Sequence, residues 1–232
     1  MERNAAYLRY TWFILVMVFV VILAGGVVRM TQSGMGCPDW PTCFGRWVPP
    51  TNANQLPADY EKYLRQQDID HTFNVYHTWV EYINRLLGAL LGIFILIHTC
   101  WSFARFWKTN KTIVFVSVVM LLAVGFQGWL GKKVVDANLA VVKVTIHMMV
   151  ALFIAALPLI IISRLKQNSI PTNKMLKGLV VITLVLVLMQ IVLGTAVREQ
   201  TDEIGAALNY THRNIWIKRM GDEFLIHRSF SM

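Results

Sequence analysis

Charge is scarce in this chain of 232 residues: Asp, Glu, Lys and Arg together make up 15%, against about 25% in an average soluble domain. Cysteine is scarcer still, with three in the whole chain, which excludes a small disulfide scaffold. No clean small-residue cleavage site follows the first apolar run, and that run is too long for a signal-peptide core, so a retained helix is expected there. The apolar runs do not alternate, which excludes a membrane β-barrel. What is abundant is apolar surface. Apolar residues reach 56% and mean hydropathy is +0.50, which excludes a disordered tail. A formal charge of +9 first suggests a nucleic-acid partner. The basic residues sit between long apolar runs, so no nucleic-acid partner is expected and membrane lipid takes its place.

Five runs are long enough to cross a bilayer, which takes about 20 helical residues. They cover Tyr10 to Val28, Trp79 to Phe103, Thr112 to Leu130, Val141 to Ile162 and Gly178 to Val197. A sixth helix starts at Phe224. The expected fold is an all-α polytopic membrane protein. Residues 1–166 would form an N-terminal four-helix bundle with an extracytoplasmic loop at 29–78, and residues 167–232 an incomplete C-terminal unit. Charge sets the orientation. Arg3, Arg9, Arg105, Lys108, Lys111, Arg164, Lys166, Lys174 and Lys177 face one side against Glu2 alone, whereas the loops of the other side hold ten basic and eleven acidic residues. The N-terminus is therefore expected in the cytoplasm. Most tryptophans fall near helix ends, as an aromatic belt would place them.

A weak repeat runs through the chain. GGVVRMTQ with Arg29 resembles LGTAVREQT with Arg198, and EYINR with Asn84-Arg85 resembles EFLIHR with His227-Arg228. A parallel duplication of a four-helix unit would give this pattern.

Ionisable residues inside spans are costly and mark function by default. Glu81 and Arg85 are spaced i, i+4 on one face. They read either as an ion pair holding helices together or as a site with a carboxylate suited to proton transfer. His147 reads either as a hydrogen-bonded core histidine or as an axial haem ligand. Lys143 and Arg85 would then sit near the outer surface, where they could pair with haem propionates. His77 shares a face with Glu81 and Asn84 and reads as an outer-edge residue; His98 reads as interfacial. Cys37 and Cys43 flank PDWPT and read as a structural bridge or as a redox-active pair. Cys100 reads as a small apolar filler.

These residues fall in a pattern that resembles the haem A synthase family of cytochrome oxidase assembly proteins. The motifs are GGVVRMTQSGMGCPDWPTCFGRWVPP at 25–50, EYINRLLG at 81–88 and QGWLGKKVV at 127–135. VTIHMMVAL at 144–152, QIVLGTAVREQ at 190–200 and IHRSFS at 226–231 continue it in register. The resemblance implies an eight-helix fold of two similar four-helix halves. This chain would hold five of those helices and the start of the sixth, and would be truncated there. It implies an oxidoreductase that oxidises the C8 methyl of haem O to a formyl group, with water as oxygen source, giving haem A. It also implies a resident b haem. By the same resemblance His147 and His227 match iron-ligating histidines and Glu81 matches a carboxylate tied to the reaction; Arg85, Lys143, Arg228 and His77 are expected to contact haem. Cys37 and Cys43 match the family's paired loop cysteines. Implied partners are haem O synthase, the terminal oxidase assembly machinery and a second copy of the chain, in the cell inner (plasma) membrane.

Two departures stand out. The family has histidine where this chain has Asn84, and asparagine is a poor iron ligand. His77 lies seven residues away, about 10 Å along the helix at 1.5 Å per residue, too far to replace it in place. The other departure is that His227 lacks an eighth-helix partner within the chain. Two other functions compete with the synthase: a non-catalytic haem-binding assembly factor, and a membrane thiol oxidoreductase using Cys37 and Cys43.

Overall fold

The computed structural model describes residues 4–64, 73–137, 139–166, 173–208 and 211–230. Helices follow one another along the chain: α1 (Ala5–Met30), the single turn α2 (Glu61–Leu64), α3 (Val75–Phe106), α4 (Lys111–Val135), α5 (Val141–Lys166), α6 (Lys174–Ala207), α7 (Arg213–Arg219) and α8 (Asp222–Phe230). Among the described residues there is no strand. Five helices, α1 and α3 to α6, are long and apolar enough to cross a membrane. An all-helical polytopic membrane protein is thus the architecture, as the apolar runs predict.

The helices overrun their apolar stretches for local reasons. Asn74 caps α3, its side chain accepting the N–H groups of Tyr76 (3.0 Å) and His77 (3.3 Å). Asn110 caps α4 the same way at Ile113. α6 continues ten residues past Val197 because its polar end is self-satisfied. Arg198 pairs with Asp202 at 3.1 Å, and Thr201 bonds back to the Val197 carbonyl.

The chain divides into two compact units. One comprises Met1–Lys143 and Val150–Asn168; the other comprises Val144–Met149 and Ser169–Met232. The turn and a half of α5 carrying His147 therefore groups with the second.

In the first unit, α3 packs against α1 and α4. Tyr7, Thr11, Ile14 and Val18 recur every three or four residues and bury one stripe of α1. Leu91 and Ile95 of α3, Ile113 and Met120 of α4, and Ile154 and Ile161 of α5 complete this core. Polar pins lock it. Thr11 donates to the Tyr7 carbonyl, so its oxygen accepts from His98 Nε2 at 3.1 Å. His98 Nδ1 faces the Tyr7 hydroxyl at 3.5 Å, and Tyr7 also reaches Ser117. His98 is fully buried. This corrects its reading as an interfacial residue: its two ring nitrogens face partners on α1, and the ring stacks on Tyr10. Cys100 is exposed on the outer face of α3 and fills no core gap.

In the second unit, α6 packs against α7 and α8. Thr145 donates to Thr195 Oγ1 at 2.8 Å.

A disulfide loop clipped to a buried ion pair

The segment after α1 builds a small second core. Cys37 and Cys43 are joined by a disulfide, and both are buried with Phe44. Phe44 meets Tyr63 and Phe73 edge-on. The turn between the cysteines is organised by Asp39. Its carboxylate accepts the Thr42 hydroxyl and the N–H groups of Phe44 and Gly45. Phe44 and Gly45 both have positive φ, 54° and 73°; glycine takes that conformation freely, and the bond to Asp39 holds Phe44 in it. Cys43 and Arg46 close the turn as an antiparallel bridge. The Trp79 indole donates to the Pro50 carbonyl, tying the far end of the loop to α3.

The loop lies against the first turns of α3. Thr78 donates to the Gly36 carbonyl at 2.9 Å. A Cβ on Gly36 would stand 2.4 Å from the carbonyl carbon and oxygen of His77 and 2.6 Å from the Thr78 nitrogen. Only glycine lets the two backbones come this close.

One turn further on, the Glu81–Arg85 pair is clamped to the same loop. Glu81 is 4% exposed. One of its oxygens, Oε2, accepts the Cys37 N–H at 2.8 Å. The other accepts Nε and Nη2 of Arg85. Nη1 of Arg85 donates to the carbonyls of Asp39 (2.6 Å) and Thr42 (3.2 Å), and Nη2 to that of Cys37 (2.6 Å). A guanidinium has five N–H donors in a rigid fork, and these five bonds use them all. Pairing with a propionate, expected of Arg85 from the sequence, is therefore not what its side chain does here. Its donors hold the cysteine loop. The ion-pair reading of Glu81 and Arg85 is realised with a loop as the third party, in place of a second helix.

The remaining candidates are dispersed. His77 is half-buried beside Tyr76, and its carbonyl is the one Gly36 abuts. Lys143 is half-buried at the start of α5. Asn84 Oδ1 is buried with no hydrogen-bond partner, and Gly25 is its neighbour, a Cβ there falling 4.0 Å away. In the second unit His147 is half-buried two residues past Thr145. His227 on α8 lies against Gly194 of α6, and its carbonyl accepts from Gln190 Nε2 at 2.8 Å. Its Nδ1 is buried and lacks a hydrogen-bond partner. Arg228 is exposed. Among the described residues no group of three His, Cys, Asp or Glu side chains converges on a metal position. Sequence reading missed Gly36, Asp39, Gln190 and Gly194. The only advance signal was the repeat, which sets a glycine four residues before Arg29 and another before Arg198.

Fold and loop together define a polytopic helical membrane protein whose first loop, closed by a disulfide, is gripped by an ion pair inside a span. Residues 8–231 match the family described as cytochrome oxidase assembly protein. The chain belongs to that family. It is 28% identical over 194 residues to a haem A synthase of Shewanella oneidensis, covering 81% of this chain and 56% of the relative. A haem A synthase of Bartonella tribocorum is 27% identical over 216 residues, covering 84% and 59%. One from Rhodopseudomonas palustris is 30% identical over 196 residues, covering 78% and 53%. The chain thus spans little more than half the length of these curated relatives. No solved structure matches it.

Proposed function

We propose that this chain works in haem A synthesis for oxidase assembly, as an oxidoreductase that converts the C8 methyl of haem O to a formyl group. The observation that carries the reading is the in-register family match over residues 8–231, with relatives named haem A synthase. In this conversion the methyl carbon loses hydrogen and gains an oxygen from water, releasing protons and electrons.

The donor set is tested against haem by its chemistry. An imidazole nitrogen suits iron, so His227 would hold a b haem through Nε2, with the buried Nδ1 as its second ring nitrogen. An amide oxygen is a poor iron ligand, so Asn84 does not fit the equivalent role in the first unit. His147 is proposed as the iron ligand for haem O, with Lys143 as a cation for its propionates; Arg228 and His77 are each proposed as haem-contacting residues. A bound b haem supplies an iron redox couple that accepts electrons singly. The chain's own residues do the rest. Glu81 is the only carboxylate in α1, α3, α4 and α5, and is proposed to take up protons near the reacting carbon. Arg85 positions Glu81 and the loop. The disulfide is read as structural, because both sulfur-bearing residues are buried.

The N-terminus is proposed to be cytoplasmic and the cysteine loop extracytoplasmic in the plasma membrane. Residues 1–166 would act as the four-helix unit, with haem O synthase and the oxidase assembly machinery as partners. The test is expression with a haem O source and analysis of extracted haems; no haem A above background refutes the activity. A second reading, a non-catalytic haem-binding assembly factor, is favoured by Asn84 alone. It would give a Soret band lost in His147→Ala or His227→Ala, without haem A.

A further inference from the structure

We infer that Gly194 is the positioning residue that sets the imidazole of His227, an inference that rests on His227 being an iron ligand. A ligating histidine is ordinarily oriented by a hydrogen bond from its second ring nitrogen to a carboxylate, carbonyl or water. Nδ1 of His227 has no such partner. What stands against the ring is the backbone of α6. A Cβ on Gly194 would lie 3.1 Å from Cε1, 3.6 Å from Nε2 and 3.8 Å from Nδ1 of His227. The ring therefore turns its nitrogen-bearing edge to α6, into the space that a side chain at residue 194 would fill. One turn earlier, Gln190 Nε2 donates to the His227 carbonyl at 2.8 Å. α6 thus sets residue 227 in two ways, by a hydrogen bond to its backbone and by leaving its ring the room that a side chain at residue 194 would take. That fitted space does the orienting that a second hydrogen bond would do elsewhere.

His98 shows the contrast. Both of its nitrogens face hydroxyl partners, which leaves no lone pair free for a metal. The first unit repeats the arrangement in looser form. Gly25 stands four residues before Arg29 as Gly194 stands before Arg198, and a Cβ on it would lie 4.0 Å from Asn84 Oδ1.

The test is a haemin titration of the purified chain in detergent, followed by the Soret band, for wild type, Gly194→Ala, Gly178→Ala and His227→Ala. Gly178 is on the same helix with nothing within 4 Å of its Cβ position, so Gly178→Ala makes the same chemical change without the contact. Losing orientation at a ligand typically weakens metal affinity about 10- to 100-fold. Gly194→Ala should do so for the component that His227→Ala abolishes, and should shift the ring nitrogen resonances of His227 in the haem-free chain. In the His227→Ala background Gly194→Ala should change nothing further. Gly194→Ala binding like Gly178→Ala overturns the inference. His227→Ala binding like wild type overturns the ligand assignment beneath it. If Gly194→Ala does not accumulate, Gln190→Ala removes the other hold without adding bulk. Weaker haemin binding by that variant supports the inference, and unchanged binding overturns it.

Discussion

Replacing Gly36 by alanine should open the cysteine loop. The added methyl would sit 2.4 Å from the His77 carbonyl atoms and 2.6 Å from the Thr78 nitrogen. Both belong to the first turns of α3, which Asn74 caps, so the helix backbone cannot yield cheaply. The loop must move instead. Moving it stretches the Thr78–Gly36 bond, and also the bonds that Cys37 makes to Glu81 and Arg85. Overpacking costs about 1–3 kcal/mol, and a hydrogen bond to a charged group contributes about 1.5–3 kcal/mol. With one such bond lost, the closed loop is destabilised by roughly 3–6 kcal/mol. At about 1.4 kcal/mol per tenfold, its open fraction rises roughly a hundredfold to ten-thousandfold. The assay is reduction of the Cys37–Cys43 disulfide by a water-soluble phosphine, followed by maleimide labelling. The cysteines are 0% and 1% exposed, so the reductant reaches them only through the open state, and the rate follows the open fraction when reclosing is fast. Gly26→Ala is the control, since nothing lies within 4 Å of its Cβ position. Equal reduction rates for Gly36→Ala, Gly26→Ala and wild type would refute the claim that this backbone contact holds the loop shut.

Other expectations follow from the same geometry. Arg85→Lys offers at most three donors where the guanidinium uses five, so the disulfide should be reduced faster than in wild type and more slowly than in Arg85→Ala; a rate equal to wild type would show the fork to be dispensable. Glu81→Gln keeps an acceptor for the Cys37 N–H but cannot take up a proton at neutral pH. Haem A yield should fall while the disulfide reduction rate stays within about tenfold of wild type; a yield equal to wild type removes Glu81 from the chemistry. Asn84→His gives the first unit the residue type that the second has at His227, and haemin affinity should rise roughly tenfold or more if the position faces iron; unchanged binding would count against that. The Gln200 amide donates to Glu223 at 2.7 Å and holds its carboxyl below the usual glutamate range. A depressed folded-state value means the contact is complete above the unfolded-state pKa and is lost as pH falls through the folded one. The side-chain amide resonance of Gln200 should therefore titrate with a midpoint below that of an ordinary glutamate, and a midpoint at or above the ordinary value excludes the contact.

What the sequence made legible follows from what the bilayer demands. A span needs a long apolar stretch, so the five helices could be counted from hydrophobic runs alone. Their ends could not, because caps such as Asn74 and the Arg198–Asp202 pair are polar features outside the apolar count. The i, i+4 spacing of Glu81 and Arg85 showed that they share a face. It did not show what lies over that face. The carbonyls of Cys37, Asp39 and Thr42 that occupy Arg85 depend on how a turn closed by Asp39 folds back on α3. His98 illustrates the same gap: its place near a helix end suggested water, and only the stripe of Tyr7 and Thr11 on another helix makes it a core residue.

The repeat is spatial as well as sequential. As text it was a short match of apolar residues around an arginine. In space its two copies share a contact, a glycine one turn before the arginine facing the residue that precedes the next arginine. Chance resemblance between two apolar segments would not preserve which residue faces which. The copies differ at the residue faced, Asn84 in one and His227 in the other, and the amide oxygen and the imidazole Nδ1 are both buried without a hydrogen-bond partner. A buried, unpaired polar atom is costly, and each copy keeps one at the same position. That shared cost is what the proposal of His227 as an iron ligand expects, with Asn84 at the matching position of the first unit.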